Sequence, residues 1–418
     1  MKKINLLLKA ILVLLLPFTT LAQATWTQQA SGTTENLRAV QFLDANNGYA
    51  CGDAGIVLKT TNGGTTWASV KIATTTPVND IYFANVNEGW AAVGDENSSS
   101  SSGQIWYTTN GGTAWTKQTP STTEARFGIS GASSSAVWVV GSRNGVINID
   151  ATTNGGTSWA NQSNSNIFGW LYKIDAISTT TAFSIGGAFF PSVTGFIIKT
   201  TNGGSTWSQL STGTIPFMNG IDMADANTGF VVGDGGSIMT TTNGGTAWTT
   251  QTSGTTDTLQ DVSFFSASVG WTCGLSGTIR RTINGGTNWN GETSGTTQNL
   301  NGIYALDATT AWAVGSGGKI IKRTGTTGIN DGHGFNYNIN VYPNPFSNYT
   351  TVSFNTSSGN EPFSIVVFDV TGKETRRISN ITSSEIILSR EELSCGIYTY
   401  KLLNKTNAVV AAGKLIIN

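Results

Sequence analysis

Histidine is nearly absent from this 418-residue chain: the one copy, His333, sits in a Gly-rich stretch with no partner nearby. Histidine-based catalysis is therefore excluded everywhere else. Charge is scarce too. Only 11% of residues are charged, about half the usual share. The net charge of −1 leaves no electrostatic footprint for nucleic acid. There are three cysteines, Cys51, Cys273 and Cys395. An odd, widely spaced set makes neither a disulfide framework nor a metal site. Cys51 and Cys273 lie in apolar strand patterns and read as small core residues. No phosphate loop, Ser/His/Asp set or metal-spaced cluster occurs, so no cofactor is expected.

What remains is rich in Thr, Ser, Asn and Gly, a composition that favours strands and turns. The N-terminus is an exception. Lys2 and Lys3 precede an apolar run from Leu6 to Phe18, and Ala22-Gln23-Ala24 offers a small-x-small cleavage site. Residues 1–24 thus read as a signal peptide. The run is short for a membrane span, and no other segment is apolar enough to cross once the signal is removed.

Repetition dominates the rest. The octet Thr60-Thr61-Asn62-Gly63-Gly64-Thr65-Thr66-Trp67 recurs six times, the later copies ending in Trp115, Trp159, Trp207, Trp248 and Trp289. The spacings of 48, 44, 48, 41 and 41 residues are those of four-stranded propeller blades. Asn-Gly-Gly suits a hairpin turn, because Gly and Asn accept positive φ. The Trp that follows can bury a large area between sheets. Each unit also holds an inner apolar strand (Val40 to Phe42 in the first) and a small-aromatic-x-x-Gly strand (Gly48 to Gly52).

The seventh unit has these strands, around Ile303 and Trp312, but its octet fails at Thr324-Gly325-Thr326-Thr327. The missing piece matches the start of the chain. Thr25-Trp26-Thr27-Gln28-Gln29, then Ser31-Gly32, parallels Ala247-Trp248-Thr249-Thr250-Gln251, then Ser253-Gly254. The pattern predicts a seven-bladed β-propeller over 25–327, closed by the N-terminal strand, which removes free sheet edges.

The octet resembles the Asp-box, or bacterial neuraminidase repeat, with Asn at each Asp position. The wider unit resembles the propellers of the photosystem II assembly-factor family. The likeness implies fold. Nothing in the sequence argues for photosynthesis.

After a linker at 328–340, a second β-domain follows at 341–418. Tyr342-Pro343-Asn344-Pro345-Phe346 opens it, Gly396-Ile397-Tyr398 begins a late strand, and Gly413-Lys414-Leu415 stands in the last. Short alternating strands predict a small β-sandwich, making the whole chain all-β. This stretch resembles the C-terminal sorting domains of type IX secretion cargo in Bacteroidetes. The resemblance implies export through the periplasm, contact with the type IX machinery through 341–418, and release or attachment at the outer cell surface.

Candidate chemistry is sparse. Two residues before the inner-strand hydrophobe stand Arg38, Asn79, Phe127, Tyr172, Asn219, Gln260 and Asn301 in blades one to seven. Such a ring can hydrogen-bond and stack, but it holds no carboxylate and cannot run acid–base chemistry unaided. Asp80 and Asp261 come one step later, and strand alternation is taken to point them elsewhere. A glycosidase would need two carboxyls about 5–9.5 Å apart. Asp53, Asp95 and Asp234 read as turn residues. Asp-box sialidases use an arginine triad, and this propeller has few arginines (Arg38, Arg126, Arg143, Arg280, Arg281, Arg323) and no Arg-Ile-Pro motif.

Two units are longer, through insertions at Glu96 to Gly103 and Ala188 to Gly195, the second carrying Phe189 and Phe190. Phe127, Phe168, Trp170 and Tyr172, with Arg126 beside them, are expected on the same face. Together with Arg38 they outline a patch for an extracellular protein or glycan. The same rings also suit the inter-blade core. The reading is a secreted or surface-displayed binding propeller, not an enzyme, with an extracellular glycoside hydrolase or lyase as the alternative.

Overall fold

The computed structural model describes residues 25–324 and 339–417, apart from 96–101, 121, 123, 144, 164–165, 189–193, 211, 213–214, 343, 345, 355–361, 370–372, 392 and 406–408. The expected signal peptide, most of the linker with His333, and Phe189 and Phe190 lie outside the described residues. Among the described residues there are strands, turns and short 3-10 segments, and no helix long and apolar enough to cross a membrane.

Seven four-stranded antiparallel sheets form the propeller. Blade one runs Leu37–Phe42, Gly48–Gly52, Val57–Thr60 and Ala68–Ser69. The inner strands of blades two to seven are Val78–Phe83, Ala125–Gly131, Trp170–Ala176, Met218–Met223, Leu259–Ser266 and Leu300–Ala305. The last blade takes its outer strand from the chain's start: Thr25–Gln29 pairs antiparallel with Lys319–Thr324, Trp26 opposite Arg323 and Gln29 opposite Ile320. Ring closure is as the split repeat predicts.

The octet makes one turn, six times over. In the first copy the Asn62 side-chain oxygen accepts the Thr66 N–H at 2.9 Å and the Thr60 hydroxyl at 3.0 Å. Thr60 Oγ1 in turn accepts the Gly64 N–H at 2.9 Å. Both glycines have positive φ, +66° and +86°. At Gly64 a Cβ would come 2.0 Å from Gln29 Oε1 of the neighbouring blade, so glycine is required there on two grounds.

Seven buried apolar clusters lie between adjacent blades, and each contains or is packed by one repeat tryptophan: Trp26, Trp67, Trp115, Trp159, Trp207, Trp248 or Trp289. At three interfaces the second-strand aromatic stacks on the next blade's inner-strand Phe: Tyr49 on Phe83 at 3.5 Å, Phe230 on Phe264 at 3.7 Å and Trp312 on Phe42 at 3.5 Å. The octet Trp meets that Phe edge-on, as Trp67 meets Phe42 at 5.9 Å and 87°. This explains the small residue ahead of each aromatic strand: a Cβ on Gly48 would stand 2.5 Å from the Phe42 ring.

The C-terminal strands form two separate sheets. One orders Ile339–Tyr342, Tyr349–Phe354 and Glu385–Ser389. The other orders Glu374–Ile381, Phe363–Phe368, Gly396–Leu403 and Val409–Ile417. Val352 and Leu388 from the first pack with Ile365, Leu402 and Leu415 from the second, the interior of a small sandwich.

Candidate functional site at the channel mouth

In every blade the inner strand slips register by one residue against the second strand. The extra residue of this β-bulge is Arg38, Asn79, Phe127 or Tyr172 in blades one to four, and Asn219, Gln260 or Asn301 in blades five to seven. A bulge re-aims a side chain. All seven line one cavity of about 360 Å³ at the mouth of the channel, so the ring read from the sequence is assembled here.

Its wall has two characters. Phe127 and Tyr172 stack at 5.5 Å and 18°, and Phe217 props Tyr172 edge-on at 5.2 Å and 67°. Across the mouth the amides stitch one blade to the next. Asn79 Nδ2 donates to Arg126 O at 2.6 Å, Asn219 Nδ2 to Leu259 O at 3.1 Å and Asn301 Nδ2 to Leu37 O at 2.8 Å. Phe127 and Tyr172 replace this stitch in blades three and four.

The charges are matched within the protein. Arg38 Nε lies 2.7 Å from Asp53 Oδ1, so Asp53 is more than a turn residue. Lys173, next to Tyr172, reaches from blade four to blade two, where its Nζ is 3.3 Å from Asp80 Oδ2. Asp261 of blade six acts on the same ammonium. Asp80 and Asp261 therefore do not point away from the channel as alternation was taken to imply.

Both carboxylates also accept a backbone N–H of the next inner strand: Ile129 at 3.2 Å and Ile303 at 3.0 Å. Below them Asp175 and Asp222 do the same for Met223 at 2.7 Å and Phe264 at 2.8 Å. Burial raises the carboxyl pKa at all four, to about 6 at Asp175 and well above the usual value at Asp222, where the charge of Asp175 adds to burial. Lys173 opposes the rise at Asp80 and Asp261. Burial acts against the Lys173 charge, yet the carboxylates win and raise its pKa.

The remaining candidates separate. Arg126 is fully buried inside blade three, ion-paired with Asp150 and bonded to Asn148 Oδ1 at 2.5 Å and Thr122 O at 2.9 Å. It stands where blades one and five carry Leu37 and Met218, and so lies in the core and not on the face. Trp170 is half-buried beside Gly145, and Phe168 is 67% exposed. Lys173, Asp175 and Asp222 carried no weight in the sequence reading. Strict alternation about Ile174 and Ile221, both buried, places them opposite the core, a signal that was present.

Comparison with known proteins agrees with this architecture. Residues 340–418 match the family profile of the secretion system C-terminal sorting domain. Residues 18–117 and 199–290 match that of the photosynthesis system II assembly factor YCF48. The chain joins a propeller of photosystem II assembly-factor type, with Asp-box repeats, to a type IX secretion sorting domain. That tail marks it for export to the cell surface or the medium and implies contact with the secretion machinery.

Among solved structures it is similar to YCF48 bound to a D1 peptide (17% identity, 73% of this chain and 96% of that one, TM-score 0.59). YCF48 from Cyanidioschyzon merolae is similar too (20%, 72% and 99%, 0.59). So is a GH74 xyloglucanase from Xanthomonas campestris (10%, 81% and 60%, 0.58). These likenesses show the fold. No curated protein matches the chain.

Proposed function

We propose that this is a binding propeller which, after export, holds an extracellular polymer at its channel mouth. The carrying observation is the bulge ring: seven side chains converge on one cavity, six of them uncharged, with aromatic rings on one arc and amides on the other. In this reading residues 1–24 are removed on export, the 341–418 domain is recognised at the outer membrane and then cleaved, and the propeller is released or attached.

A plug tests it. Gln260→Trp fills the mouth from a position outside the inter-blade core. Affinity electrophoresis of the full chain against soluble polysaccharides, with overlay blots of outer-surface proteins, should show a retained polymer that the variant loses. Equal retention by both proteins would sink the assignment.

One observation supports a second reading, an extracellular glycoside hydrolase or lyase. Asp80, which pairs with Lys173, and Asp261, whose charge acts on the same ammonium, both have raised pKa. Product release from a polysaccharide panel, lost in Asp80→Asn and Asp261→Asn, would favour it. Their bonds to Ile129 and Ile303 favour instead a role in joining blades.

A further inference from the structure

We propose that the mouth takes a sugar chain free of anionic groups, stacked on Tyr172, which the buried Phe127 backs, and hydrogen-bonded by the amide arc. This deepens the binding reading above and rests on it. Three properties of the wall select the ligand.

Tyr172 is held as a platform. Phe127 lies against one side of it and Phe217 meets it edge-on, so little side-chain entropy is lost when a ring packs on it. Trp170, half-buried, stands two residues earlier at the start of the same strand, beyond the residues that line the mouth.

Three of the four amides on the polar arc already donate within the protein. The Nδ2 groups of Asn79, Asn219 and Asn301 donate to carbonyls of the next blade, which leaves their Oδ1 atoms to receive hydroxyl protons. Sugar hydroxyls can satisfy acceptors alone, whereas peptide carbonyls need donors. The strand edges also give a peptide no ladder to extend. The N–H groups of Phe83, Ile129, Met223, Phe264 and Ile303 are held by side chains of the preceding blade.

Charge excludes anions. Each nearby cation has its carboxylate: Arg38 has Asp53, and Lys173 has Asp80, with the charge of Asp261 also acting on it. A uronate brought here would find matched cations and extra negative charge.

Titration calorimetry of the full chain with cellohexaose, xylohexaose and mannohexaose, against hexagalacturonate and a lysine-rich hexapeptide, tests this. At least one neutral hexamer should bind. In wild-type protein its ring C–H protons should shift upfield in NMR spectra, from contact with an aromatic face. Tyr172→Ala should weaken that hexamer about tenfold, equal to about 1.4 kcal/mol. A disaccharide of the same sugar should feel Trp170→Ala less than the hexamer does.

Binding of hexagalacturonate or the peptide in preference to every neutral hexamer overturns the sugar assignment while leaving a mouth-bound ligand in place. Neutral-hexamer binding without upfield shifts overturns the stacking. If no probe binds and Gln260→Trp changes no polymer retention, the binding reading falls with it.

Discussion

The interface between blades five and six and the one between blades six and seven use the same positions with different chemistry. At the first, Trp289 Nε1 donates to Gln251 Oε1 at 2.9 Å, and Gln251 Nε2 donates to Gly285 O at 3.2 Å. Gln118 and Gln29 serve Trp159 and Trp67 likewise. At the second, the equivalent residue is Glu292. It accepts from Trp26 Nε1 at 2.8 Å, Trp271 Nε1 at 3.2 Å and Arg323 Nε at 3.0 Å, with Arg281 4.0 Å away. Arg323 and Arg281 are nearly fully buried. Elsewhere one continuous chain supplies all four strands of a blade. Blade seven is completed by a strand from the far end of the sequence, and there a neutral link is replaced by a charged one. Charge-assisted bonds are roughly twice as strong as neutral ones.

The sharpest way to break this contrast is Glu292→Ala. It removes the carboxylate that pairs with buried Arg323 and lies 4.0 Å from buried Arg281, a change that costs about 3–5 kcal/mol. Gln251→Ala at the ordinary interface should cost about 1 kcal/mol, the worth of a neutral hydrogen bond. Urea denaturation of the two variants measures both, and equal losses would dissolve the distinction.

Next come the tryptophans. Trp289→Ala should cost about 3–5 kcal/mol as a buried aromatic. Trp26→Ala should equal or exceed it, because its indole also holds the Glu292 carboxylate. A smaller loss at Trp26, read from thermal melts, would mean that the terminal strand adds little to closure.

A third effect turns on pH. Folding raises the carboxyl pKa of Asp175 and Asp222 above the unfolded value. Stability linked to their protonated forms is thus fully present below about 3.9 and is lost as pH rises through their raised values, about 6 at Asp175 and well above the usual range at Asp222. The two titrate as a pair. Asp222→Asn keeps an acceptor for the Phe264 N–H and removes the charge, so it should raise the melting temperature at pH 7.5 by about 2 °C, the effect of about 1 kcal/mol. The gain should fade as pH falls towards 4, and a constant gain at every pH would contradict it.

Smallest of all is Asn62→Asp. The acceptor oxygen is kept and the Thr66 hydroxyl can turn to donate, so the change should stay within about 0.5 kcal/mol. A larger shift would show that the Nδ2 bond to Thr66 matters on its own.

How much of the site was legible follows from where its signals lie. The bulge ring is legible because each of the seven units carries its residue at one offset from a buried hydrophobe. The bulge itself was invisible. Under strict alternation Asn79 would share the face of Ile81, and only the register slip turns it into the mouth. Arg126 was misplaced for the opposite reason, since an arginine in a repeat reads as surface unless its buried partner, Asp150, is known. Glu292 was open to discovery as the single acid at a position otherwise Gln or apolar, three residues after each repeat tryptophan.

By itself the sequence determined the blade count, the split last blade and the sorting domain, because turn chemistry, tryptophan spacing and strand pattern are local and recur in each copy. Tertiary structure alone decided what the mouth offers. Residues some forty positions apart become neighbours only around a shared axis. There the partners of each charge, and hence whether it can meet a ligand, come from other blades.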